Sequence, residues 1–409
     1  MRHSHFHRSA AVRAMEARRW LAALLLALPL AACDDILSVE TPSRLPASEL
    51  DKPENAALLV KSAESDFQCA LGAYVVVAGL ISGELADATQ TAARWSYDRR
   101  VIDPSESRYS VSPCEAIGIY SPLSTARFSN DDAVRKLEAW TDEQVPERQA
   151  LIAKAAAYAG YAVLLLGEGF CTAPVASLGP ALTQAELFAE AEARFTKAIA
   201  AAQAANDEDL LNLAYVGRAR ARLNQGKSAD AAADAALVPT DFEYTLETVA
   251  SSGRLNNRVF VENVQTAAVT VGEAYRGSTD PRVVVEQDPD RPAGQDASTP
   301  LYFQTKYTSR SSPYVVASGE EAQLIVAEAT GGVTAQLVED RRLALFLEGQ
   351  RLYDIQRFAA VNPALVPLTP SPGTDYPKGG SYGDLNGARC MPLPDVERLN
   401  NPNIPDVES

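Results

Sequence analysis

A mainly helical fold built from short helical hairpins is predicted by three features of the chain. Apolar residues recur three and four positions apart over long stretches, a capping box opens one such stretch, and short polar turns separate the stretches. Glu54–Ala78 carries Leu58, Leu59, Ala63, Phe67, Leu71 and Val75 at helical spacing. Ala116–Trp140 is a second helix, with Pro122 predicting a kink or a turn. Pro146 and Glu147 start a third, Glu147–Leu166. Its small face (Ala153, Ala156, Ala157, Gly160) permits close helix approach, and Gly167 and Gly169 end it. Thr183-x-x-Glu186 is the capping box that opens Gln184–Ala205. Leu210–Leu223 follows, then Ser228–Leu237, which stops before Pro239.

The helix, turn, helix order from 147 to 239 resembles degenerate tetratricopeptide hairpins, without a clean repeat length. From Thr240 the texture changes. Phe260–Val264 and Val283–Glu286 read as strands, and Pro289, Pro292, Gly294 and Pro300 mark loops. The region 240–318 is therefore a loop-rich insertion with short strands. Helix returns at Glu320–Ala329 and Thr334–Ala360, and a Pro-, Gly- and Asn-rich tail from Asn362 wraps the body. Residues 54–409 read as one domain.

Apolar residues make up 46% of the 409 positions and charged residues 22%, enough for a core and too apolar for a disordered chain. The net charge of −16, from 37 basic and 53 acidic residues, excludes a broad nucleic-acid surface. The first 32 residues differ: they hold five arginines, one glutamate and all three histidines (His3, His5, His7). Without them the charge is −20 (37 less five against 53 less one), and no imidazole remains for a Ser-His-Asp or Cys-His mechanism or for zinc. Arg18-Arg19 precede an uncharged run at 20–32 that ends Leu30-Ala31-Ala32-Cys33. This is similar to bacterial lipoprotein signals, in which cleavage before the cysteine leaves it to carry acyl chains such as palmitate. Residues 1–32 are then a signal peptide, Cys33 the lipidation site, and 33–53 a tether to the membrane. With Cys33 lipidated, Cys69, Cys114, Cys171 and Cys390 allow two disulfides in three connectivities, and an oxidising compartment favours at least one. No stretch after Cys33 reads as a transmembrane helix, and no cofactor or metal motif is present.

Val338–Phe358 reads VEDRRLALFLEGQRLYDIQRF. Its Arg341-Arg342, Glu348-Gly349, Arg351, Tyr353-Asp354 and Arg357-Phe358 resemble the carboxyl-terminal signature of the SusD/RagB family. Asp280-Pro281-Arg282, Lys306-Tyr307, Ala322–Ala329 and Met391-Pro392-Leu393-Pro394 with Glu397 and Asn401-Pro402 agree in order. The motif itself reads as an ion-pair lattice locking a long helix, with Glu348–Arg351 and Asp354–Arg357 as pairs three apart. The resemblance implies an outer-membrane lipoprotein facing the cell exterior. It would capture an oligosaccharide, or a peptide, for a SusC-like TonB-dependent transporter, and it would not be an enzyme. A lipid-anchored scaffold that binds protein through its helical repeats is the alternative. The 377 residues after the leader (409 less 32) are few for that family, which favours a small ligand or a peptide.

Sugar capture needs flat aromatic faces with polar partners for hydroxyls. Aromatics outside helical stripes are Trp95, Tyr97, Tyr109, Tyr275, Tyr302, Phe303, Tyr307, Tyr314, Tyr376 and Tyr382. The connection Gly83–Pro113 carries Trp95, Tyr97 and Arg99, which with Tyr302 and Tyr307 form the expected ligand-binding set.

Overall fold

The computed structural model describes residues 51–106, 117–385 and 390–404, all within the compact unit Asp51–Ser409. Helix α1 (Ala56–Ser82) is apolar on nearly every side and runs through the centre, ending at Gly83 with φ 80°. A short strand β1 (Leu85–Asp87) and helix α2 (Ala92–Arg99) follow. Then come α3 (Tyr120–Ala139), α4 (Arg148–Gly169), α5 (Gln184–Ala205), α6 (Glu208–Asn224) and α7 (Ser228–Ala235), each packed on the next, with α1 against α3 and α4. The fold class is the one predicted: mainly α, with repeated helical hairpins and short strands. Helix α8 (Gly319–Gly331) packs on α6 and α7, α9 (Ala335–Ala344) follows it, and α10 (Arg351–Val361) returns to α1 and α4. A last short helix, α11, spans Asp395–Asn400. The α1 and α4 segments are long and apolar enough to cross a membrane, but 83% of each apolar window is buried inside the protein, as core helices are.

The strands form antiparallel pairs: β1 with β5 (Val269–Val271), β2 (Thr172–Ala173) with β3 (Leu182–Thr183), β4 (Glu243–Leu246) with β8 (Tyr314–Ser318), and β6 (Val285–Glu286) with β7 (Phe303–Gln304). The register places Leu85 opposite Val271, and Val285 opposite Gln304. Cys171 and Cys390 form a disulfide that pins the tail to the end of α4, and Cys69 is also disulfide-bonded. Cys33 and Cys114 lie outside the described residues.

Four local expectations are corrected. The stretch 260–264 is not a strand: Asn257 Oδ1 accepts the Phe260 N–H and starts a helical turn that widens into a π-helical turn, Val261–Gln265. The helix expected over 334–360 breaks between α9 and α10, where Leu347 (φ 56°) and Gly349 (φ 82°) are left-handed. Tertiary contacts take the backbone groups there. Leu347 N donates to the Glu84 carboxylate at 2.9 Å, Tyr307 donates its hydroxyl to Leu347 O at 3.0 Å, and Lys306 Nζ reaches Phe346 O at 2.9 Å. Glu348 therefore pairs with Lys306 (2.6 Å) rather than with Arg351. Pro122 lies inside the first turn of α3 and kinks nothing, since a first-turn N–H has no helical partner to lose. Finally, 83–113 is not merely a connection, because it contains β1 and α2.

The small residues do serve close packing. Phe195 of α5 is clamped between two glycines. A Cβ on Gly217 of α6 would lie 2.3 Å from its ring, and one on Gly160 of α4 would lie 2.8 Å away. Tyr161 meets the same ring edge-on at 4.9 Å. With the ring pressed by two backbones and by Tyr161 it has little room to yield, so Gly217→Ala is expected to destabilise the fold by about 1–3 kcal/mol. Thermal unfolding checks this, and an unchanged midpoint would show the clamp to be loose.

Beneath the apolar layer lies a buried ionic one. Arg220 of α6 reaches Glu168 of α4 (3.0 Å) and Glu321 of α8 (3.4 Å). Arg341 holds Asp354 through two bonds of 2.9 Å, and Arg357 pairs with both Asp354 (2.7 Å) and Glu328. The Asp354–Arg357 pair is one the sequence predicts. Burial pushes Glu84 up to about 7 against the pull of the Leu347 N–H, and burial likewise pushes Glu321 up to about 7 against Arg220. Each folded value lies above the unfolded one, so the native state holds more protons between about pH 4.5 and 7. Stability contributed by these groups is full below that window and is lost as pH rises through about 7. Glu84→Gln, which keeps an acceptor for Leu347 N, is expected to flatten this fall by on the order of 2 kcal/mol. Unfolding midpoints measured from pH 5 to 8 check it. A parallel, undiminished fall in the variant would clear Glu84 of the role.

Candidate functional site

A cleft opens where β1, β5 and α2 meet the tail. Its floor is set by two backbones in contact: Gly272 N donates to Glu84 O at 2.8 Å, and a Cβ on Gly272 would lie 1.9 Å from Gly83 O. No other residue fits there. The roof is a hairpin at 373–382. Its turn is closed by Tyr376 N to Gly380 O (2.9 Å) and Tyr382 N to Thr374 O (2.9 Å), with Gly373, Gly379 and Gly380 at positive φ. The cleft encloses about 280 Å³, lined in part by Asp87, Asp98, Glu273, Arg276, Tyr376 and Lys378.

The hairpin inserts charge as well as rings. Lys378 Nζ donates to Asp87 O (2.6 Å) and meets Asp87 Oδ1 (3.2 Å) and Asp296 Oδ2 (3.0 Å), 5.9 Å from the centre of the Trp95 ring. Asp87 also accepts from Thr89 N and Oγ1, both at 2.8 Å, and from Arg94 Nε at 3.3 Å. Asp98 accepts from Asp87 N and from the Tyr376 hydroxyl, both at 3.1 Å. Burial pushes Asp98 up to about 7 against those two donors' pull, and the nearby Asp87 charge adds to the rise. Burial acts on Asp296 too, but hydrogen bonds from Thr299 and Ser298 outweigh it and hold that carboxyl well below its usual range. Arg276, fixed by a bond from Nε to Val271 O (2.8 Å), lies 4.4 Å over the Tyr302 ring.

Three residues of the expected set lie just behind this cleft, against its wall or its roof, without lining it. Trp95 is half-buried on α2, donates Nε1 to Thr89 O (3.0 Å) and tilts against Tyr376 at 6.3 Å. Arg99 reaches Gly379 O (3.5 Å) at the hairpin turn, and Tyr302 stands half-buried beside Arg276. The other two lie away from it: Tyr97 is 3% exposed and Tyr307 is 2% exposed, the latter tied to Leu347 O, and neither lines this cleft. Helical periodicity turns Tyr97 inward once α2 forms. Tyr109 lies outside the described residues. The polar groups that the 83–113 connection offers beside Trp95 include Asp87, Arg94 and Asp98, but nothing local points to Arg276 or Lys378, because no local signal links residues 291 positions apart. It had marked Tyr376 and Tyr382 only as aromatics outside helical stripes. Among the described residues no cluster of three or more His, Cys, Asp or Glu could hold a metal ion.

A helical-hairpin body with short strand pairs and a tail that roofs a cleft defines the class of this protein by its architecture. The particular resemblance lies in solved structures of SusD-like proteins. Surface glycan-binding protein A from Bacteroides uniformis matches with a TM-score of 0.64 at 13% identity, over 86% of this chain and 98% of its own. The Bacteroides thetaiotaomicron protein of the same name, solved in complex with laminarihexaose, matches at 0.60 and 12%, over 86% and 98%. A SusD superfamily protein from Bacteroides vulgatus matches at 0.62 and 12%, over 87% and 100%. The fold is thus SusD-like along nearly its whole length. No family profile and no curated protein matches the sequence.

The hairpin depends on Lys378. Lys378→Ala leaves two buried carboxylates short of their cation and is expected to cost about 3 kcal/mol. Hydrogen exchange at the Tyr376 and Tyr382 amides should quicken, and unchanged protection would show that the rings alone hold the roof.

Proposed function

We propose that this chain is a member of the SusD-like family, a lipid-anchored cell-surface protein that captures an oligosaccharide and delivers it to a SusC-like TonB-dependent transporter. The observation that carries the reading is the likeness in fold, over almost the full length of each neighbour, to proteins described as surface glycan-binding, one of them holding laminarihexaose. Two further observations support it. The leader ends in a lipobox-like Leu30-Ala31-Ala32-Cys33. The roofed cleft sets the rings of Tyr376 and Tyr382 among Asp, Glu and Arg groups suited to sugar hydroxyls, with Trp95 packed behind Tyr376 and Tyr302 behind Arg276. Capture is favoured over hydrolysis because the carboxylates of Asp87 and Asp98 are engaged by Lys378, Arg94, Tyr376 and backbone N–H groups. A glycosidase needs a free pair about 5–9 Å apart.

The test is calorimetry of the full chain in detergent against neutral hexasaccharides, laminarihexaose first, and against short peptides. Arg276→Ala and Trp95→Ala are expected to weaken saccharide binding about tenfold or more, because the first removes a lining cation and the second the ring that supports Tyr376 in the wall. Binding of peptides alone would redirect the reading to peptide capture. Binding of neither would leave the protein-binding scaffold.

A further inference from the structure

A second cleft lies on the other side of β7. Successive residues of a strand face opposite ways. Tyr302 turns to Arg276 at the first cleft, and Phe303 turns into this second one, which encloses about 480 Å³. One wall is the helical turn Arg258–Phe260 with the π-helical turn after it, contributing Phe260 and Val264. The other is β6 and β7 with the loop that joins them, contributing Phe303, Glu286, Asp288 and Arg291. Phe260 and Phe303 are both half-buried, so each keeps part of a ring open.

Buried amides hold the two walls apart at a fixed distance. Asn263, fully buried, donates to Val269 O (2.9 Å) and Tyr302 O (3.0 Å) and accepts from Gln304 N (2.9 Å). Gln304 in turn exchanges both amide bonds with Tyr307, at 2.9 and 2.7 Å. Arg291 spans the mouth, with Nη1 on Val264 O (2.8 Å) and its guanidinium 5.0 Å from the Phe303 centroid. These buried bonds set the spacing of the two walls, and π-helical turns occur frequently at functional sites.

We propose that this cleft is a second saccharide-binding site, separate from the roofed one, which takes a neutral hydroxylated ring; the proposal rests on the glycan reading above. The charge pattern selects the ligand. Glu286, Asp288 and the adjacent Asp290 repel anions. Arg291 already supplies the cation over Phe303, so an ammonium or guanidinium ligand would compete with it. An uncharged sugar can place its apolar face on the open part of Phe260 and the uncovered edge of Phe303, and donate hydroxyls to the rim carboxylates.

The experiment is calorimetric stoichiometry of the full chain in detergent with the neutral hexasaccharide that binds best in the panel. Two equivalents are expected for the wild type. One is expected for Phe303→Ala, and also for Glu286→Gln combined with Asp288→Asn, a surface pair chosen because it leaves the core intact. Trp95→Ala should lose the other equivalent. A wild-type value of one equivalent, abolished by Trp95→Ala and untouched by both second-cleft variants, overturns this site and leaves the first reading standing. Binding by no saccharide overturns both.

Discussion

The last turn of α4 is the constraint on which the rest of the structure depends. Glu168 there faces Arg220 of α6, which also reaches Glu321 of α8. Gln356 of α10 donates to Glu168 O (3.0 Å), and Gln184 of α5 donates to Gly167 O (2.8 Å). Gly167 is held against Phe188, and Gly169 against Tyr74 of α1. One residue beyond Phe170, Cys171 takes the tail through its disulfide, with Cys171 N on Met391 O and Met391 N on Gly169 O. Five helices and the tail thus share one turn of backbone. A buried cation between two carboxylates adds little net stability over apolar packing, but losing one partner leaves an uncompensated charge. Such a centre therefore fixes where elements meet more than how tightly they do so.

From that turn the position of the cleft follows. Tyr74 packs on Gly169 and also beneath Gly349, where the α9–α10 helix breaks. The break exposes Leu347 N to Glu84, and the Glu84 carbonyl receives Gly272 N at the cleft floor. The motif that carries the family resemblance lies at this break, outside the lining of the roofed cleft. It sets the height of the floor on which β1 and β5 lie.

Much of this was legible in the sequence where local chemistry decides. Thr183 and Glu186 cap α5 as their spacing requires, with Thr183 N on Glu186 Oε2 at 2.8 Å. Gly160 lies at a close crossing as its small face predicts. What was not legible depends on distant partners. The turn at 260–265 is rich in valine and reads as a strand, but Asn257 and Asn263 supply bonds that only the folded context offers. The break at Leu347 is invisible until Glu84, 263 positions away, claims its N–H. In the same way the roofing hairpin reads as Pro- and Gly-rich tail. Its structure comes from Lys378 meeting Asp87 and Asp296, so the sequence shows Trp95 with the polar groups of its own segment but not the tail residues that cover them.

A common device links the aromatic faces at the two clefts. Trp95 has Lys378, Tyr302 has Arg276, and Phe303 has Arg291, each cation within 6 Å of its ring centre. In a chain of net charge −16, an open aromatic beside carboxylates would attract any passing cation. Supplying the cation from within fills that position. What remains is a ring edge or partial face beside hydrogen-bonding groups, a surface with little attraction for charge of either sign. The internal cations thus brace the rings, and under the glycan reading proposed above they leave a surface matched to a ligand that is uncharged and rich in hydroxyls.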